Sequence, residues 1–457
     1  MASHVEVRVL PGEQILLLQG PMGAFFRRFT EWLEQHGADV WKINFNGGDW
    51  FFYPYGNVVD FRGPRQDWPD YLRRFLIERR IARVYLYNDC RPYHRLAIET
   101  CRQLRIPVMV FEEGYIRPDY VTLEQGGVNA FSSVPRDPHF YLRRLHSDEP
   151  ARAPACASFF EMALSAALYY TFGLLFRWYY PHYEHHRSFN PFSEGAKWLL
   201  AGARKLLYRP RDRQLTRRLT QELRRRYFLV PLQTCVDSQL RIHSNYADTR
   251  DFIHEVLSSF AEHAPKDTLL VFKHHPMDRG HRHYGKFIRD SAAAKGIKER
   301  VYYGHDLHLP SCLDHARGVV LINSTVGLSA LLHGVPLKVM GDAFYDIEGL
   351  TCQRPLEDFW KKPGTISPQL HRKFRNYLIT PTQLNGSFYG RFPLSPPPLP
   401  ADLGRQERYP LGLAADFNKA TALPSEPGDE HAQASAAPSA DERMPAFAEA
   451  LDPAETR

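Results

Sequence analysis

The sequence predicts an α/β fold, GT-B-like, with two Rossmann-type domains facing one cleft. Three observations carry that prediction. Strand and helix signals alternate through the first part of the chain, a second alternation begins near Arg226, and polar, chemistry-bearing residues fall just after the strands.

In the first set, "QILLLQG" (Gln14–Gly20) is a short apolar run closed by glycine, as a buried parallel strand should be. "PMGAFFRRFTEWLEQHG" follows with helical spacing at Phe26, Phe29 and Leu33 and a stop at Gly37. "ADVWKINFN" reads as a second strand and "WPDYLRRFLIERRI" as a helix with Pro69 near its start. "ARVYLYN", "YHRLAIETCRQLR" and "IPVMVFEEG" complete the rhythm as strand, helix and strand.

The second set runs from "RYFLVPLQ" through the helix "ADTRDFIHEVLSSFAEHA" and the strand "DTLLVFKHHP". It continues with "RVYYG", "LPSCLDHA", "GVVLINS", "TVGLSALLHG" and "VPLKVMG". A helical return segment is expected near Leu370–Tyr377. The expected division is residues 1–150 and 227–345 for the two Rossmann-like domains and 346–400 for the return segment. A helical aromatic and basic insertion takes 151–226, and a disordered tail takes 401–457.

Composition sets limits. With 457 residues and 44% hydrophobic content the chain is long enough for two cores. A net charge of +7 favours an anionic partner without naming one. Six scattered cysteines with no CxxC pair imply neither a disulfide framework nor a zinc site, and suggest a reducing cytoplasm. The N-terminus lacks a signal pattern, since Glu6, Arg8 and Glu13 interrupt it. The longest uncharged apolar run, between Glu161 and Arg177, is shorter than the roughly 18 residues a bilayer requires. The tail is rich in Pro, Ala, Ser, Glu and Asp and buries too little apolar area to offset its ordering entropy.

Residues 151–226 admit two readings. The aromatic run "MALSAALYYTFGLLFRWYYPHY" leads into Arg204–Arg226, which holds ten Lys or Arg against two acidic residues. It is either a helical hairpin packed on the sheet with a solvated charged face, or a surface for anionic lipid. His182, His185 and His186 lack the carboxylate or cysteine spacing of a metal site.

Four strand ends carry candidate chemistry. Lys273, His274 and His275 close "LVFKHHP", where Pro276 biases His275 towards an extended backbone. A lysine and a histidine there can donate to a phosphate, and the histidine can supply a proton. Ser324 and Thr325 follow Asn323 at the start of a helix carrying Gly327, a natural anion cradle. Gln233 and Asp237 follow the strand that opens the second domain, with Asp237 a nucleophile or base. Glu112 and Glu113 end a first-domain strand, where two adjacent carboxylates can raise one pKa, and Gly114 lets backbone or ligand approach closely. Each has a plainer reading: loop histidines bonded to carbonyls, an ordinary N-cap, a turn aspartate, surface carboxylates.

"FEEGYIRPDYVTLE", "VPLQTCVDSQ", "KHHPMDRG", "INSTVGLSALLHGVPLKVMG" and "TQLNGSFY" together resemble the capsular polysaccharide β-Kdo transferases of the KpsS/LipB type, over about Gln14–Tyr389. The resemblance implies transfer of Kdo from CMP-β-Kdo to a (lyso)phosphatidylglycerol lipid, retaining, to start the poly-Kdo linker of a Gram-negative capsular polysaccharide. It implies a cytoplasmic enzyme peripherally associated with the inner membrane, with a second Kdo transferase of the pathway as a candidate partner. By the same resemblance, Lys273, His275, Pro276, Ser324, Thr325 and Gln233 hold the CMP-sugar donor, while Asp237, Glu113, Glu112 and His275 are catalytic. Relatives often have Glu-Asp where this chain has Glu112-Glu113, which leaves the role of each carboxylate open. No cofactor besides the donor, no metal and no nucleic acid is expected. Two other functions fit the same residues: a nucleotide-sugar epimerase of the GT-B plan, and a non-catalytic membrane-associated factor in capsule assembly or export.

Overall fold

The computed structural model describes residues 7–143, 155, 157–185, 191–234, 240, 242–392 and 394. Twelve strands among them form two sheets. The first contains β1 (Gln14–Leu17), β2 (Asp39–Asn44), β3 (Asn57–Asp60), β4 (Arg83–Tyr87), β5 (Val108–Glu113), β6 (Tyr120–Gln125) and β12 (Gln383–Asn385), in the order β12-β6-β5-β4-β1-β2-β3. The second contains β7 (Tyr227–Pro231), β8 (Leu269–Lys273), β9 (Val301–Gly304), β10 (Gly318–Leu321) and β11 (Leu337–Val339), in the order β11-β10-β7-β8-β9. Counted within each unit, both give the 3-2-1-4-5 order of a doubly wound nucleotide-binding fold.

The pattern of burial explains the parallel sheets. Every residue of β7 and β10 is buried, as strands covered on both faces must be. On one face of the first sheet the helix Phe25–Gln35 lays down Phe25, Phe26, Phe29 and Leu33. The helices Trp68–Glu78 and Pro92–Gln103 cover the other face through Trp68, Leu72, Tyr93 and Ala97. On the second sheet, Phe252, Val256 and Phe260 of the helix Thr249–His263 meet Phe359 and Trp360 on one side. Leu370, Phe374 and Leu378 of the return helix Pro368–Thr382 lie on the other.

Three strands escape the sequence reading. β3 is only four residues long, and β6 and β12 run antiparallel at the edge. The return segment is therefore more than a helix. It crosses from the second core and delivers Leu384 to the core of the first sheet. In the opposite direction, Tyr115, Val134 and Tyr141 reach from the first part of the chain into the second core. The tail expected at 401–457 lies outside the described residues.

The insertion is helical where described. The helix Phe159–Leu175 buries Tyr169 and Gly173, and its passage over Gly47 and Gly48 leaves no room for a Cβ at either glycine. The helix Pro191–Thr220 buries Asp212, Leu215 and Leu219 near its end, while most of its earlier turns are exposed. No described helix is long and apolar enough to cross a membrane.

Candidate functional site

The two histidines after β8 are sorted by depth. His274 is buried, and its Nδ1 lies 2.8 Å from the Tyr303 hydroxyl. His275 remains partly open, with φ −74° and ψ 129°, the extended backbone that Pro276 requires. Its Nδ1 accepts the backbone N–H of Met277 at 3.2 Å. Burial, then Lys273 and Arg117, pull the imidazole down to about pKa 4. The ring is thus neutral at pH 7, with its proton on Nε2, and offers a phosphate an N–H donor rather than a cation.

Lys273 is buried beside it, and desolvation lowers its pKa. The carboxylates that act on it, Asp306 and Asp212, already have partners. Asp306 pairs with Arg279 at 3.0 Å, and Asp212 accepts the N–H groups of His305 and Asp306 at 2.8 and 2.6 Å. No carboxylate lies within ion-pair distance of Lys273 among the described residues, so its charge can meet another anion. Gly280, which closes the same stretch, has a different cause. A Cβ there would sit 2.1 Å from the Lys197 carbonyl, because the helix Pro191–Thr220 crosses at that point.

At the end of β10, Ser324 Oγ accepts from Val326 N–H at 3.3 Å, and the Ser324 carbonyl accepts from the Tyr345 hydroxyl. Thr325 occupies the N-cap position of the helix Val326–Leu332 but makes no side-chain capping bond. Its hydroxyl is the more available of the two. Gln233 is buried and donates to Asn323 Oδ1 at 2.9 Å, so the structure makes it a brace between β7 and β10. Asp237 lies outside the described residues.

At the end of β5 the paired carboxylates separate. Glu112 accepts from Asn88 Nδ2 and from the Glu113 N–H, both at 3.0 Å. Adjacent strand residues face opposite sides, so mutual repulsion is not what perturbs the pair. The Glu113 side chain is solvent-exposed, yet desolvation by the atoms crowded around its carboxyl raises its pKa, opposed by Arg117. Gly114 is required by backbone, since a Cβ would fall 2.0 Å from the Tyr120 carbonyl.

The Arg117 charge reaches both sides: its Nε donates to the Gly114 carbonyl at 3.3 Å, and the guanidinium opposes the rise of Glu113 and, after burial and Lys273, helps lower His275. Sequence reasoning missed it, although it lies inside a quoted motif. The ends also meet directly: Cys90 Sγ is 3.8 Å from His243 Nε2, and Arg136 pairs with Asp342 at 2.7 Å. Also missed was a stack beneath the helix Pro191–Thr220, in which Tyr208 lies 4.3 Å from His305, itself 5.0 Å from His283. Among the described residues no group of three His, Cys, Asp or Glu is placed to hold a metal ion.

The profile of a family described as "Capsule polysaccharide biosynthesis protein" matches residues 82–389, a span that takes in the ends of β5, β7, β8 and β10. The chain belongs to that family. Within the capsule polysaccharide biosynthesis family it is 44% identical over 389 residues to "Capsule polysaccharide export protein KpsS" of Escherichia coli, covering 85% of this chain and 100% of that protein. It is 42% identical over 391 residues to "Capsule polysaccharide modification protein LipB" of Neisseria meningitidis serogroup B, covering 83% of this chain and 92% of the relative. Among solved structures, "Thermosulfurimonas dismutans KpsC, beta Kdo 2,7 transferase" aligns over 79% of this chain and 89% of its own, with 15% identity and a TM-score of 0.35. A likeness that weak adds nothing to what the strand orders show.

Proposed function

We propose that this member of the capsule family is a glycosyltransferase that moves Kdo from CMP-β-Kdo to a (lyso)phosphatidylglycerol-type lipid with retention. One observation supports this above the others: the charge of Arg117, whose Nε donates to the Gly114 carbonyl at 3.3 Å, acts both on the Glu113 carboxyl after β5 and on the His275 imidazole after β8. An acidic acceptor edge then faces a donor edge built for phosphate.

In this reading His275 Nε2–H and Lys273 hold the CMP phosphate, with Thr325 and Ser324 on its other side. Asp237 attacks the anomeric carbon of Kdo as the bond to the phosphate oxygen breaks, and CMP leaves with the bonding pair. An acceptor hydroxyl then attacks the Kdo–Asp237 ester from the opposite face, and Glu113 takes its proton. Two inversions give retention. A raised pKa suits Glu113 to that proton transfer.

The insertion presents the enzyme to the membrane surface. Ten of the seventeen large hydrophobic residues exposed among the described residues lie between Phe159 and Leu207, including Trp178, Leu199 and Leu206. Arginines follow immediately on the same long helix. Apolar insertion beside basic charge is the composition of a surface for anionic lipid.

The test is one assay: purified protein, CMP-Kdo regenerated in place, and a fluorescent phosphatidylglycerol analogue, with product followed by mass. A gain of one Kdo, lost in His275→Ala and Asp237→Ala, is expected. An unchanged lipid with folded protein defeats the acceptor assignment and brings the epimerase and scaffold readings forward.

A further inference from the structure

Beside Glu113 lies a second cation that the donor and the catalytic groups leave unused. Arg91 follows β4, and its Nη1 lies 3.2 Å from the Gly20 carbonyl and 3.4 Å from Gln19 Oε1. Its guanidinium stands over the Tyr87 ring at 5.1 Å. Both hydrogen-bonding partners are neutral oxygens, and no carboxylate lies within ion-pair distance of Arg91 among the described residues. An arginine held in place by carbonyls and an aromatic ring, with no ion-pair partner among the described residues, is prepared for an anion.

The recess around it is built. Burial raises the phenols of Tyr87 and Tyr389, and the charges of Glu113 and Arg91 act on both. Tyr389 is fixed there because Arg28 donates to the carbonyls of Phe388 and Gly390, both at 2.9 Å. Its own carbonyl accepts from Ser158 N–H at 3.0 Å, at the start of the helix Phe159–Leu175. That helix turns Ser165 and Tyr169 inward, against Gly23 and Gly48, and leaves Phe159, Phe160 and Leu164 exposed. One helix therefore holds the segment that carries Tyr389 and, through the Tyr169–Gln19 hydrogen bond, lies next to Arg91, while it carries an apolar surface outside.

We propose that Arg91 anchors the phosphate of the acceptor, and that the ligand is a phosphoester with an apolar tail lying along the helix Phe159–Leu175. The assignment rests on the transferase reading and names the residue that selects its acceptor. Glu113, whose charge acts on the same two phenols as Arg91, then lies near the hydroxyl end of the bound ester.

Equilibrium binding tests this without turnover. The full chain is titrated with a fluorescent-acyl lysophosphatidylglycerol below its micelle concentration, and with the monoacylglycerol bearing the same chain. Arg91→Gln should weaken the phosphorylated ligand about 10- to 100-fold and leave the monoacylglycerol unchanged, with Arg91→Lys between. Equal loss for both ligands, or no loss, overturns the proposal. If Arg91→Gln lowers the melting temperature, Arg91→Lys decides, because only an anion anchor gives a loss confined to the phosphorylated ligand. Displacement of the lipid by sn-glycerol 3-phosphate at similar concentration would make the site one for free phosphoesters and remove the lipid assignment. CMP binding, followed by thermal shift, separates the two ideas. Its absence sinks the transferase reading, whereas normal CMP binding with an indifferent Arg91→Gln sinks only the anchor.

Discussion

Gln233 and Asn323 hold each other across the head of the second sheet. The Gln233 amide donates to Asn323 Oδ1 at 2.9 Å, and the Asn323 N–H donates back to Gln233 Oε1 at 3.4 Å. The pair ties the segment after β7 to the segment that begins with Ser324. Gln233→Ala should cost about 1–2 kcal/mol in urea unfolding by leaving buried polar groups unpaired. A double-mutant cycle with Asn323→Ala should show coupling. Additive losses would show that the brace has no energetic content.

Glu113 and Glu112 should separate in kinetics as they do in structure. Glu113→Gln is expected to lower turnover by about 10²- to 10⁴-fold while CMP affinity is kept. Glu112→Gln leaves one acceptor oxygen for two donors, Asn88 Nδ2 and the Glu113 N–H, and should instead cost about 1 kcal/mol of stability. Steady-state rates beside melting curves distinguish the two, and an active Glu113→Gln would disqualify it as the base.

In the proposed function His275 binds phosphate as a neutral donor, so its contribution should not titrate near neutrality. With its pKa at about 4, the ratio of CMP affinities between wild type and His275→Gln should stay level from pH 8 to pH 6. It should grow as the pH approaches 4 and the ring becomes cationic. Calorimetric titration across this range checks it. A step near pH 6.5 would mean that the ring is charged at neutrality.

Stability should carry two opposite slopes. Burial raises Glu124 to about pKa 7, although Tyr115 donates to it at 2.7 Å. Its folded pKa is above the unfolded value, so the native state holds the extra proton and stability falls as pH rises from about 4.5 to 7, by on the order of 3 kcal/mol. His274 and His305, lowered to about 3 by burial, act the other way and cost stability as pH falls below about 6.5. Denaturation of Glu124→Gln across pH should lose the first slope and keep the second.

The exposed helices should respond to charge without unfolding. Leu199→Glu or Leu206→Glu on the helix Pro191–Thr220 is expected to leave the melting temperature unchanged. Each should weaken sedimentation with phosphatidylglycerol vesicles about tenfold, and high salt should weaken wild type as well. Equal binding by variants and wild type would place the membrane contact elsewhere.

The parallel strands were legible because each is a buried apolar run that ends in a turn signal, as "LLVFK" and "GVVL" do. β6 and β12 were not. "YVTLEQ" mixes Thr and Glu into a strand that runs against β5, and its other partner, "QLN", arrives from the far end of the described chain, with Gln383 paired to Thr122. Within the candidate site, Lys273, His275, Glu113 and Thr325 could be named from sequence because strand ends announce themselves. Arg91 and Arg117 were not, since one arginine among many has no local pattern to distinguish it.

The sequence by itself determined the two β/α rhythms, the strand ends that carry the candidate residues, and the family motifs placed upon them, all of which are local patterns of burial and turn chemistry. Tertiary structure decided how those residues divide the work. It turned His274 inward and left His275 partly open, made Gln233 a brace, separated Glu112 from Glu113, and let the charge of Arg117 reach both sides. Each of these depends on desolvation and on partners distant in the chain, and such terms take their values only when the strands are packed.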